Sequence, residues 1–152
     1  MIELFRLAAP TVLALLDHAT VLHVPLQPCI RDIWHEHVLF EGETVSGLVD
    51  FGALRPENVA ADIARLLGSL AGDHAADWKL GLSAYEQVRP LSASERELIT
   101  AFDRSAVLMS GIQWLQWIYL EGRTFEAPQR VLDRLDENLA RLVQLASGQG
   151  RD

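Results

Sequence analysis

The sequence predicts a mostly helical α+β domain in which one small β-hairpin interrupts a run of helices, and three observations carry that prediction. Apolar residues recur at helical spacing after Asn58, as in Val59, Ile63, Leu66, Leu67 and Leu70. Two β-rich stretches, HVLF and TVSGLVDF, flank the short link EGE, the pattern of a tight glycine-containing hairpin. No internal repeat or low-complexity linker divides the 152 residues, which fit one domain over 1–147 with a disordered tail at 148–152. A chain of this length buries roughly two-thirds of the surface its unfolded form exposes, enough for a proper core.

Taken in order, the elements begin with a short helix after Pro10, a residue tolerated in a first turn. Its apolar positions are Val12, Leu13, Leu15 and Leu16, and it ends between His18 and Thr20. VLHVPL, residues 21–26, alternates like a strand, and Pro25 and Pro28 bar it from the middle of a regular ladder. The hairpin follows over residues 37–51. A helix then runs from Asn58, with Asn58 or Asp62 available near its start, to a stop at Gly72. Three more helices are predicted near Ala75 to Val88, Ser92 to Glu121 and Pro128 to Ala146, and Ser92 with Glu95 forms a capping box for the second of these.

Charge narrows the partners. A net charge of −8 disfavours a protein that neutralises nucleic-acid phosphates or docks on anionic lipid. The lone Cys29 has no internal disulfide partner, which fits a cytoplasmic location, and reads as a small buried hydrophobe. The first residues, MIELFRLAAPTVLALLD, carry Glu3, Arg6 and Pro10 and do not resemble a signal peptide. The uncharged run from Ser105 to Leu120 falls short of the ~20 residues a membrane helix needs, so it reads as a core helix. His18, His23, His35, His37 and Cys29 match no zinc spacing, and Ser46, Ser69 and Ser110 lack a nucleophile-elbow context.

The charged centre of the sequence is IRDIWHEHVLFEGETVSGLVDFGA, residues 30–53. Kinase-type phosphoryl transfer needs one carboxylate near the acceptor hydroxyl and a second oxygen-rich group for the metal on the nucleotide phosphates. An irregular loop and a hairpin end can fix the separation of two carboxylates that would otherwise repel. Asp32 in the loop and Asp50 at the end of SGLVD suit that arrangement.

These residues resemble the aminoglycoside and choline kinase-like phosphotransferases, whose fold is similar to that of protein kinases. The family's loop reads roughly H-G-D with an asparagine following, and its metal-binding segment D-F-G or D-x-D. Here the corresponding residues are Ile30-Arg31-Asp32, His37, and Asp50-Phe51-Gly52. The resemblance implies the C-terminal lobe of a kinase-like fold, ATP and Mg²⁺ as cofactors, and a small-molecule hydroxyl acceptor. It assigns Asp32 as the catalytic residue and Asp50 with His37 to the nucleotide's metal. Asp62, in the D-L-A-R-like segment ADIARLL, braces the loop, with Arg31 and Gly52 as further structural support. Trp117, otherwise a core residue beside Trp114, is placed by the same resemblance in the wall of an acceptor pocket, and Asp103, otherwise a surface charge, is a polar candidate to touch the acceptor. Two positions depart from the pattern: Ile30 stands where the family has histidine and His37 where it has asparagine.

Neither a glycine-rich phosphate loop nor a strand lysine precedes Asp32, and the sole lysine, Lys79, follows Gly52. The expectation is a C-terminal-lobe fragment without its nucleotide lobe, weakly active by itself, that belongs to an ATP-dependent small-molecule kinase. The alternative is a non-catalytic kinase-like binding or regulatory module. Aminoglycoside, choline-like amine, sugar and amino alcohol all remain open as acceptor.

Overall fold

The computed structural model describes residues 2–148, so all but Gly148 of the expected tail lies outside the described residues. It is mostly helical, with two small antiparallel sheets. Helix α1 (Ile2–Ala19) is followed by strand β1 (Gln27–Cys29), a single 3₁₀ turn (His35–His37), and the hairpin β2 (Val38–Glu41) and β3 (Thr44–Leu48). Strand β4 (Arg55–Glu57) leads into α2 (Ala60–Ala71), α3 (Ala75–Glu86), α4 (Ala93–Leu115) and α5 (Pro128–Ala146).

The contacts form two compact units. One takes the residues up to His18 and those from Arg104 onward; the other is Ala19–Asp103. In the first, Ala8 and Val12 of α1 are buried with Val107, Leu142 and Leu145, and Leu4, Phe5 and Leu16 pack against them. In the second, Cys29, Val59, Ala60, Ile63 and Ala64 form a core with Trp78, Leu91, Leu98 and Ile99.

Three expectations are corrected. Helix α1 starts at Ile2, so Pro10 lies inside it instead of in its first turn. The apolar positions Leu4, Phe5, Ala8, Val12 and Leu16 recur on one side over the full length, and their burial offsets the one hydrogen bond that an exposed proline forfeits. The strand expected at residues 21–26 is irregular backbone, with Leu22 and Val24 packed on the core. Its tie is a side chain: Asn58 Nδ2 donates to the carbonyl of Pro25 at 2.8 Å. The real strand lies one step on, at Gln27–Cys29, and pairs with β4 so that Pro28 faces Pro56. Facing prolines fit the antiparallel position whose N–H groups point away from the partner, so neither costs a ladder bond. Last, the long helix does not run regularly to Glu121. After Leu115 it widens to a π turn over Gln116–Leu120, closed by the N–H of Glu121 on the carbonyl of Gln116 at 2.9 Å.

The hairpin and the remaining helices follow their sequence signals. Gly42, the first of the two link residues between β2 and β3, has φ 63°, the left-handed backbone that such a tight turn demands. Asn58 Oδ1 accepts the N–H of Ala60 at the head of α2, and Gly72 (φ 52°) ends it. At the head of α4 the N–H of Glu95 donates to Ser92 Oγ at 3.1 Å while Glu95 Oε2 accepts the N–H of Ser92 at 2.9 Å, a complete capping box.

Candidate active site

The loop that carries Asp32 lies between β1 and the 3₁₀ turn, and the start of α2 holds it. Asp62, in the first turn of that helix, accepts two backbone N–H groups, Ile30 at 2.8 Å and Arg31 at 2.6 Å. A carboxylate receiving two amides fixes the local path of the chain and needs no side chain from residue 30. The apolar Ile30 in place of histidine therefore does not leave the loop untied. Farther along α2, Ser69 Oγ accepts the N–H of His35 at 2.9 Å and donates to the carbonyl of Leu66.

Asp32 projects from this loop, exposed, and its Oδ1 receives both Nε and Nη2 of Arg65 at 3.2 and 3.1 Å. Arg65 is not among the residues that the motifs picked out, and Ser69 was weighed only as a nucleophile. The signal was present for Arg65: it stands three residues after Asp62, so a helix that turns Asp62 toward the loop turns Arg65 the same way.

Backbone strain marks both motifs. Among the described residues, the non-glycine residues with positive φ are Arg31 (68°), which precedes Asp32, and Asp50 (63°) itself. Such backbone costs a non-glycine residue about 1 kcal/mol or more and persists only where the surroundings impose it. At Arg31 the imposing group is Asp62; the Arg31 guanidinium itself reaches only to 4.0 Å from Glu57. Position 31 is where the resembling loop has glycine, and the positive φ supplies the physical reason.

Asp50 leaves β3 with Oδ1 accepting the N–H of Gly52 at 3.4 Å and Oδ2 lying 3.7 Å from His37 Nε2. The structure thus brings Asp50, His37 and Gly52 together. A Cβ added at Gly52 would meet only Asp50 Oδ1, at ordinary contact distance, so sterics do not require glycine there. His37 is bound elsewhere: its Nε2 accepts the indole N–H of Trp34 at 2.6 Å. The neutral ring then carries its proton on Nδ1, which is buried with no hydrogen-bond partner.

That geometry decides which groups fit a divalent cation. The Asp50 side chain is 61 % exposed and offers a hard oxygen, as Mg²⁺ prefers, whereas His37 is 14 % exposed and its Nε2 electron pair is already used by Trp34. No group of three or more His, Cys, Asp and Glu side chains is placed to hold a metal among the described residues. Mg²⁺ in nucleotide sites commonly takes one or two carboxylates plus substrate phosphates, so Asp50 suits it without such a cluster.

The contacts above involve none of the remaining named residues. Asp103 is 1 % exposed, so it is not the surface charge its type suggests. Trp117 is half-buried in the other unit, edge-on to Trp114 at 5.1 Å between ring centres, with the Arg123 guanidinium 4.9 Å over its ring. Cys29 is buried; burial first, then Asp62 and Glu57, pushes its thiol up to about 11, which keeps it protonated and a poor nucleophile or metal ligand. No helix of the described residues is long and apolar enough to cross a membrane.

Residues 3–98 match the family model described as Phosphotransferase enzyme family. A homoserine kinase of Rhodopseudomonas palustris is 32 % identical over 98 residues, which are 61 % of this chain and 30 % of that protein. A homoserine kinase of Beijerinckia indica is 33 % identical over 82 residues, 51 % of this chain and 26 % of that protein. The match therefore spans less than a third of either relative's length. No solved structure matches the chain.

Proposed function

Because the chain belongs to the phosphotransferase enzyme family, we propose that it carries the acceptor-side and metal-side carboxylates of an ATP-dependent kinase whose acceptor is a small alcohol. The observation that supports this most is the coincidence of strain and motif: the two left-handed non-glycine residues among those described, Arg31 and Asp50, fall in the two segments picked out for phosphoryl transfer. Asp32 would orient or deprotonate the acceptor hydroxyl. Asp50 would hold the divalent cation, which when bound neutralises charge on the nucleotide phosphates. His37, its ring held by Trp34, would line the site beside Asp50 in place of serving as a ligand. Asp62 would keep Asp32 in register by fixing the amides before it. Catalysis of this kind is mostly positioning and charge neutralisation, which suits a loop held by side chains of a rigid helix.

The homoserine kinases among the relatives make an amino alcohol the first acceptor to try. The assay is phosphorus NMR of Mg-ATP with L-homoserine and this chain. A new phosphate-ester resonance that disappears in Asp32→Asn supports the proposal. An unchanged rate in Asp32→Asn, or no ester with homoserine or any other alcohol of the acceptor classes named above, refutes it.

A further inference from the structure

Helix α2 presents three polar side chains to the loop at residues 30–35, and each holds a different part of it. Asp62, Arg65 and Ser69 stand three and four residues apart, which sets them along one helical face. Asp62 takes the backbone N–H groups of Ile30 and Arg31, and Ser69 takes that of His35. The backbone on both sides of Asp32 is thus fixed without help from Arg65. Arg65 touches the side chain instead: Nε and Nη2 both donate to Oδ1. The second carboxylate oxygen has no such partner among the described residues.

We infer that Arg65 is a positioning residue, clamping one oxygen of Asp32 so that the other, Oδ2, is held ready for the acceptor hydroxyl. The inference rests on the phosphotransfer reading above. Two features favour positioning over a stabilising role. Both side chains are about half exposed, 44 % for Arg65 and 58 % for Asp32, and an exposed ion pair adds little to folding stability. In addition, two donors from one planar guanidinium on a single oxygen restrict rotation of the carboxylate while leaving its far side open. In a reaction whose rate depends on placement, loss of such a clamp acts on turnover more than on binding.

The test uses the full chain, Mg-ATP and L-homoserine as the probe acceptor, with Arg65→Met and Arg65→Lys. Arg65→Met is expected to lower kcat by about 10- to 100-fold while leaving KM for homoserine within about twofold, and Arg65→Lys to recover part of the loss. Three-bond Hα–Hβ couplings of Asp32 are expected to show one rotamer in the parent chain and an average in Arg65→Met, with the amides of Ile30, Arg31 and His35 still slow to exchange. Averaged couplings already present in the parent chain would overturn the inference. So would a kcat for Arg65→Met equal to or above the parent's, the latter meaning that Arg65 shields Asp32. If the parent chain transfers no phosphate to homoserine, the fault lies with the functional reading or that acceptor, and the couplings alone decide whether Arg65 fixes Asp32.

Discussion

A single backbone angle at residue 31 separates steric demand from side-chain role. Arg31 pays for its positive φ because Asp62 needs its N–H in that orientation, not because its own side chain gains a close partner. Arg31→Gly removes the strain but adds freedom to the unfolded chain, two effects of similar size, so stability in urea is expected to hold or rise slightly. Arg31→Val puts a β-branched residue in left-handed backbone and is expected to cost about 1–3 kcal/mol. Equal urea midpoints for the glycine and valine variants would mean that the loop does not impose this angle. The sequence placed Asp32, Asp50 and Asp62 in readable motifs. It did not show that Trp34 would occupy the nitrogen of His37, because that bond depends on the 3₁₀ turn folding the indole back over the ring three residues later.

The head of α4 shows how much one element hangs on a buried acid. Glu95 closes the capping box, receives Arg89 Nη2 at 2.7 Å and takes the Asn58 amide at 3.2 Å. The Arg89 guanidinium, against the opposing effect of burial, and with the Ser92 and Asn58 donors assisting, holds its carboxyl down at about 2, below the ordinary 4.5. A depressed native value means the stabilisation is complete above the unfolded value and is lost as pH falls from about 4.5 through about 2. Glu95→Gln is expected to cost roughly 1–3 kcal/mol at neutral pH, since it weakens the charge-assisted bond to the partly exposed Arg89 and the capping box. It should also flatten the loss of stability in that acid window, as measured by urea midpoints against pH; an unchanged acid slope would count against the assignment. Two glycines give a second contrast between helices. A Cβ at Gly111 in α4 would come 2.6 Å from Cζ of the stiff Phe5 ring and 3.0 Å from Asn138 Oδ1, whereas at Gly81 in α3 it would meet the end of the flexible Leu67 chain at 2.5 Å. Gly111→Ala should therefore destabilise by about 1–3 kcal/mol. Gly81→Ala should be milder, since the ~1 kcal/mol gained in helix propensity offsets the shift of Leu67. Thermal melts that rank the two the other way would contradict this packing. The capping box and most helix limits were legible because local spacing fixes them. The start of α1 was not, since only the packing of Leu4, Phe5 and Ala8 outweighs the proline signal.

At the level of the whole molecule, the site belongs to one compact unit, Ala19–Asp103, and within it to one contact between a helix face and a loop. That arrangement was half legible: Asp62 announced it through its motif and Arg65 could have followed from its spacing to Asp62, while Ser69 follows only once α2 is seen to lie along the loop. The chain has a single lysine, Lys79, and no glycine-rich phosphate loop in its 152 residues. Mg-ATP is accordingly expected to bind this chain no tighter than the millimolar range, about −4 kcal/mol, and a micromolar value by calorimetry would contradict that. The central claim is that Asp32 and Asp50 serve one cation-dependent phosphate site. It is tested most directly by paramagnetic line broadening, with a trace of Mn²⁺ added to the nitrogen-labelled chain in the presence of ATP. Selective loss of the amide signals at residues 31–33 and 50–52 is expected, abolished in Asp50→Asn. Broadening that spares either segment, or that persists unchanged in Asp50→Asn, would contradict it.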